Sequence, residues 1–342
     1  MTPRIKRFLL CSAAGLLFYS GLLSFRQFFR KRLLGKKEIC VLGLHRVLSE
    51  AERERASSLG GIILRESTFA ALLGFLHRRF AVISLDGFLK ALREGPSGSR
   101  PWCLLTFDDG WRDNFTTALP WLRKHQMPAV VFVTTGFIGK HETFWVERLR
   151  EAWRDPEARN HIRSALGGGG TPASGRPGFE EVVEHLKHMP MAQRDGFLAQ
   201  PLSSMSAGTA NDGDEMLSWE EAALLQQSGV EIEAHTVNHP LLTYEDESTV
   251  KQELADARQA IEENLHKKAR AFAYPNGSWN QKVRDWAESA GYECAFTTAR
   301  GWHASGDDPF TIRRVMVHEG KLLGLNGKFS PAVAALRLTG WI

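Results

Sequence analysis

Along this chain short apolar runs alternate with longer stretches in which apolar residues recur every three or four positions, the signature of strands separated by amphipathic helices. Strands are predicted at 39–44, 81–84, 103–107, 129–134, 230–234, 271–274, 294–297 and 312–317. Helices are predicted over 67–77, with Phe69, Leu72, Leu73 and Leu76 on one face, and over 86–92. A third carries Phe115, Leu119, Trp121 and Leu122 and ends near His125. Ser218 and Glu221 form a capping-box pattern for a helix stopped by Gly229, and Val250, Leu254, Ala257, Ile261 and Leu265 line one face of the next. Asn280 caps the last clear helix, which ends at Gly291.

Strands and helices in strict alternation make a parallel sheet, and about seven such units suit a closed α/β barrel. A doubly wound open sheet is the structural alternative, but no Gly-x-Gly-x-x-Gly follows a strand to favour a nucleotide. The rhythm breaks at about 151–215, where Gly167–Gly170 and Ser174–Gly178 punctuate short helical pieces. This stretch reads as a helical insertion between two strands.

It also differs at the start. Phe8 to Phe25 is an uncharged, largely apolar segment, about 27 Å long as a helix against a hydrocarbon core of about 30 Å. It predicts an N-terminal membrane helix, spanning or in-plane, with residues 1–37 as anchor and basic flank and 38–342 as the barrel. No small-x-small cleavage site follows it. The heavier basic flank lies after the segment, which by the positive-inside rule leaves the body cytoplasmic; the membrane face of the body stays open.

Composition changes the picture in two places. Of the 342 residues 43% are hydrophobic and 24% charged, as in a globular protein, and the net charge is +4. Nine cations, from Arg4 to Lys37, precede the first acidic residue, so setting them aside turns +4 into −5 for the body. That balance gives no basic patch with stacking aromatics and excludes nucleic acid as a partner of the fold. Cys11, Cys40, Cys103 and Cys294 stand singly, and the last three sit in apolar runs as small buried hydrophobes.

The candidate chemistry gathers where strands end. Asp108 and Asp109 close an apolar run, and two adjacent carboxylates that both stay ionised want a cation beside them. An Asp-Gly turn capping a helix near Asp113 is the plain alternative. His235 and His239 follow the 230–234 strand, four apart, as on one face of a helical turn. Two imidazoles and a carboxylate make a three-ligand open site of the kind a hydrolytic zinc centre uses. His45, Asn276 and His318 also fall at strand ends, so one shared site at the carboxyl rim is expected.

Three segments resemble motifs of the polysaccharide deacetylase family, the chitooligosaccharide-deacetylase homology domain. They are Thr106-Phe107-Asp108-Asp109-Gly110, His235-Thr236-Val237-Asn238-His239-Pro240 and Phe272-Ala273-Tyr274-Pro275-Asn276-Gly277. The resemblance spans roughly 38–317 and implies a distorted (β/α) barrel, a divalent metal and removal of N-acetyl groups from amino sugars of a polysaccharide or saccharide precursor. Carried over, Asp108 would be the general base, Asp109, His235 and His239 the metal ligands, and the backbone N–H of Asn276 the oxyanion donor. A mixed N/O set with an open position suits Zn²⁺. For the general acid, the family offers a histidine after the last strand, here His318, or one ending the first strand, here His45, which is favoured. The third motif departs from the common pattern at Ala273, where an arginine usually stands, and at Asn276. A partner for the base must then come from elsewhere, with Arg270, Arg313 and Arg314 as candidates. The acyl-pocket tryptophan motif is not evident after Gly291. Two other functions compete: hydrolysis of another N-acyl group on a lipid-linked amino sugar, and glycan binding without catalysis.

Overall fold

The computed structural model describes residues 2–22, 37–167, 177–202 and 214–338. Seven of the predicted apolar runs become parallel strands, here β1 (Glu38–Leu44), β2 (Trp102–Phe107), β3 (Ala129–Val133), β4 (Val230–Ala234), β5 (Ala271–Ala273), β6 (Cys294–Arg300) and β7 (Ile312–Met316). Neighbours follow chain order from β2 to β7, and β1 closes the ring by pairing with both β7 (Leu42↔Val315) and β2 (Cys40↔Cys103 through Leu44↔Phe107). The result is a closed seven-stranded parallel barrel with helices around it. The predicted strand at 81–84 shortens to Ala81–Val82 on the outside of β2, because Ser84 instead caps the helix Leu85–Glu94.

Alternation along each strand sorts residues between two cores. Ile39, Val41, Leu104, Val130, Phe132, Ala271, Ala273, Cys294, Phe296 and Ile312 come from strands all round the ring yet form one cluster, so they fill the lumen, and Leu85, Phe88 and Leu89 join them from helix Leu85–Glu94. The alternate set, including Cys40, Leu42, Leu105, Phe107, Val131, Ile232 and Phe272, packs outward on the helices Glu66–Arg79, Trp219–Gln227 and Glu247–Leu265. The same phase carries Gly43, Thr106, Asp108, Glu233, His235 and Arg314 to the lumen side. Low in the barrel, Glu233 is fully buried, with Lys267 and the N–H groups of Arg270 and Ala271 on its carboxylate.

The insertion between β3 and β4 begins earlier than the glycine-rich punctuation suggested, at Trp145. Helices Trp145–Ala152, Pro156–Gly167, Phe179–Lys187 and Met191–Leu202 close on a small core of their own around Leu149, Ile162, Val182, Leu186 and Leu198. Residues 168–176 and 203–213 lie outside the described residues.

The N-terminal segment gives no support to a membrane-spanning helix. Its helix runs Pro3–Tyr19, beginning within the basic Arg4–Arg7 turn and ending where Ser20 caps it and Gly21 turns left-handed at φ 78°. No helix among the described residues is long and apolar enough to cross a membrane. Part of the expected span, 23–25, and the basic flank to 36 lie outside the described residues. One face of the helix rests on the body: Ala14 is fully buried, Leu10, Cys11, Leu17 and Phe18 pack against the outer core, and Arg7 Nη2 donates to the carbonyl of Gly324 at 2.9 Å.

Candidate active site

At the carboxyl rim β2 sends its two aspartates in different directions. Asp108 keeps the lumen-facing phase of Leu104 and Thr106. Asp109 takes a left-handed backbone, φ 81°, uncommon for a residue with a side chain, and the turn is held by Thr134 N–H on the Asp109 carbonyl and Leu217 N–H on that of Gly110. Asp109 Oδ1 thereby lies 3.5 Å from Nε2 of both His235 and His239, and the three ligand atoms are all within 4.8 Å of one another.

The two histidines do not stand on a helical turn. Residues 235–239 form a loop after β4 in which Thr236 and His239 are both left-handed, at φ 66° and 56°. Glu253, buried in helix Glu247–Leu265, holds that loop by accepting from the N–H groups of Val237 (2.8 Å) and Asn238 (2.9 Å) and from Asn238 Nδ2 (2.6 Å). The His235 ring donates Nδ1–H to the carbonyl of Ala273 at 2.7 Å, which fixes the tautomer and leaves the Nε2 lone pair facing Asp109. Phe144, leading into the insertion, covers the His239 ring with centroids 5.1 Å apart.

Asp108 has a full partner in Arg314. Nη1 and Nη2 donate to Oδ1 and Oδ2 at 2.7 and 2.8 Å, Nε donates to the carbonyl of Thr297 at 2.8 Å, and the guanidinium is fully buried. Of the three arginines considered from sequence, Arg313 is exposed and Arg270 pairs with Asp86 outside the site. Burial alone would raise the Asp108 carboxyl, but the Arg314 charge, with His235 and His45 behind it, outweighs burial and holds the group below the usual carboxylate range. Asp109 is likewise burdened by burial and held low by the neighbouring imidazoles of His235, His45 and His239. Burial, next to His235, lowers the His239 ring to about 3, so it is neutral near pH 7.

His45, in the turn after β1, brings Nε2 to 3.9 Å from Asp108 Oδ2. Its charge acts on Asp108, Asp109 and His239 alike. His318 sits at the N-cap of Glu319–Leu322, and the charges acting on it come from Lys321, Arg337 and His45. The fold thus gathers Asp108, Asp109, His235, His239 and His45, with His318 following the neighbouring strand β7. Asn276 is exposed in a left-handed turn, φ 55°, with its carbonyl taking the Thr298 hydroxyl at 3.1 Å. The next position must be glycine: Gly277 has φ +71°, and a Cβ there would stand 2.3 Å from the Thr298 nitrogen.

A supporting layer escaped the sequence reading. Asp109 Oδ2 accepts from the fully buried Trp111 Nε1 at 2.9 Å, and the Arg46 guanidinium lies 4.1 Å over the Trp111 ring. Arg46 is buried between Asp113 (2.9 Å) and Asp214 (2.5 Å). Asp113 therefore makes no helix-capping bond; its Oδ1 takes the N–H of Val47 instead. Glu147, from the first insertion helix, accepts from Ser58 at 3.3 Å, and burial with Asp214 nearby raises its carboxyl to about 7.

A family model described as polysaccharide deacetylase matches residues 96–295. YxkH of Bacillus subtilis (strain 168), assigned by its name to the polysaccharide deacetylases, is 21% identical over 229 residues, 67% of this chain and 56% of that one. The chain therefore spans little more than half the length of that relative. Among solved structures, the Streptococcus pyogenes deacetylase PplD in complex with acetate matches with a TM-score of 0.58 at 18% identity, over 89% of this chain and 99% of that one. IcaB from Ammonifex degensii gives 0.56 at 19% identity, over 89% and 97%. At such identities the likeness is one of fold.

Replacing Arg314 by Met leaves Asp108 buried without its cation, which costs about 3–5 kcal/mol for a buried pair. In the parent, Asp108 is held low, so its contribution is present above the usual carboxyl range and is lost as pH falls through it. In metal-free Arg314→Met, protonation of Asp108 relieves the unpaired charge, so the stability deficit is largest near pH 7 and narrows towards pH 4. Urea unfolding across that range measures it; a deficit independent of pH would show that Arg314 acts by packing alone.

Proposed function

The chain belongs to the polysaccharide deacetylase family, and we propose that it is a metal-dependent hydrolase that removes N-acetyl groups from the amino sugars of a polysaccharide or saccharide precursor. The reading rests above all on one juxtaposition: a carboxylate fixed by a buried arginine, next in sequence to a convergent carboxylate–histidine–histidine set.

The donor set fits a small divalent ion. Ligands about 2.0–2.2 Å from a tetrahedral centre stand roughly 3.4 Å apart, and the Asp109–histidine separations are 3.5 Å. His235 presents Nε2 because Nδ1–H is engaged by Ala273, and Trp111 occupies the second oxygen of Asp109 so that Oδ1 is left for the ion. A bound Zn²⁺ would polarise the acyl carbonyl and acidify a water.

The remaining work falls to side chains of this chain. Asp108 accepts the proton of the attacking water; Arg314 keeps it ionised and aims its oxygens. The N–H of Asn276, carried on the left-handed turn before Gly277, donates to the oxygen that becomes negative as the carbonyl carbon turns tetrahedral. The amine leaves only when protonated, and His45 supplies that proton. Its proximity to Asp108 favours it over His318, whose neighbours are Lys321, Arg337 and His45.

Three outcomes follow for the metal-loaded protein. His239→Ala should lose stoichiometric metal by elemental analysis; content equal to the parent would place the ion elsewhere. Asp108→Asn keeps metal but loses about 10²- to 10⁴-fold in acetate release from acetylated amino-sugar oligomers, and a variant with more than about a tenth of parental activity would move the base to another residue. His45→Ala cuts turnover strongly with metal retained while His318→Ala is mild; the reverse ranking would assign the acid to the last strand.

A further inference from the structure

Two large aromatic side chains at the carboxyl rim are left open to solvent, Tyr244 at 43% and Trp279 at 38% exposure. They stand on adjacent loops. Tyr244 ends the 3₁₀ turn Leu242–Tyr244 in the loop after β4 that also carries His239, and Trp279 follows Asn276 and Gly277 in the loop after β5. β4 and β5 pair through Ala234↔Phe272, and the two loops are tied again at their tips by a 2.8 Å hydrogen bond between the hydroxyls of Thr243 and Ser278. Each of those residues directly precedes one of the aromatics, so Tyr244 and Trp279 stand on neighbouring loop tips of the rim that carries the candidate site.

Both supports are firm. The His188 ring of the insertion stands edge-on to Tyr244, centroids 5.2 Å apart, and Met191 N–H donates to Glu245 Oε1 at 2.7 Å, bracing the loop from that side. On the other side Gly277 packs too tightly against Thr298 for any side chain. An exposed, braced aromatic offers an apolar ring face and, in Tyr and Trp, a polar tip, at little conformational cost. That combination fits a pyranose, whose axial C–H groups make an apolar face and whose hydroxyls ring its edge.

We propose that Tyr244 and Trp279 form a two-ring platform that binds the sugar units flanking the one being deacetylated, so that the substrate is a chain of amino sugars and not a free monosaccharide. This rests on the deacetylase reading of the same rim for its substrate, although the platform itself is tested by binding.

Calorimetric titration of the full-length, metal-loaded chain carrying Asp108→Asn, with an acetylated amino-sugar pentasaccharide and its monosaccharide, provides the test. Pentasaccharide binding is expected to be at least about tenfold tighter, with Tyr244→Ala and Trp279→Ala each weakening it by about tenfold. Trp279→Phe, which keeps a ring, should restore most of the loss. Leu224→Ala, which removes a side chain 44% exposed on helix Trp219–Gln227, leaves binding unchanged. A pentasaccharide that binds no tighter than the monosaccharide, alanine variants that bind like their parent, or an equal loss in Leu224→Ala overturns the platform. Acetate release by the chain with native Asp108 is assayed in parallel. Aromatic-dependent binding without release would sink the hydrolase reading and leave the platform standing; release without aromatic-dependent binding would do the opposite.

Discussion

The bidentate pair between Arg314 and Asp108 is the interaction on which the upper barrel depends. Two ions are taken wholly out of water, which is tolerable only when each lone pair and proton finds a partner. Arg314 meets that demand by reaching from β7 behind β1 to β2, with Thr297 and Thr106 receiving its remaining donors. A Cβ on Gly43 of β1 would make only ordinary contact with Arg314 Nη1, at 3.5 Å; the group it would displace is the end of the Met316 side chain, whose sulfur would lie 2.2 Å away. Barrel closure and the ionised state of Asp108 are thus parts of one constraint.

Much of this was legible in the sequence where local rules govern. The apolar runs placed the seven barrel strands to within a few residues, and the Ser218–Glu221 capping box and the Asn280 cap appear where the residues called for them. The motif residues on β2 and after β4 do converge. Their backbone was not legible: four-residue spacing suggests a helical turn for His235 and His239, whereas the loop is shaped by Glu253, which lies in the second turn of the next helix. Likewise nothing local marks Arg314 apart from Arg313. Strand phase decides which of the two faces the lumen, and phase is known only once the pairing is known. At the N-terminus, apolar composition suggested a lipid-facing helix, but it does not reveal that one side rests on the barrel.

The supporting layer has the same long-range character. Arg46, Asp113, Trp111 and Asp214 come from three separated stretches, and their role emerges only when the Arg46 cation is seated on the indole that binds the spare oxygen of Asp109. Glu147 lies in the first insertion helix and Asp214 follows the last, so this segment is joined to the site through buried charge as well as through the Phe144 ring on His239. Substitutions in the insertion helices can therefore act on the aspartate and histidine without touching either.

The Glu253 clamp has a consequence for how the proposed ion would be met. In small metal-folded domains the ligands are gathered by the ion, and binding free energy is folding free energy. Here the chain has already closed the histidine loop with hydrogen bonds from Val237 and Asn238 and locked one imidazole on a backbone carbonyl. Loading with the proposed ion would not have to organise the polypeptide, so almost the whole coordination energy would be expressed as affinity, and an ion could exchange on a scaffold that stays assembled.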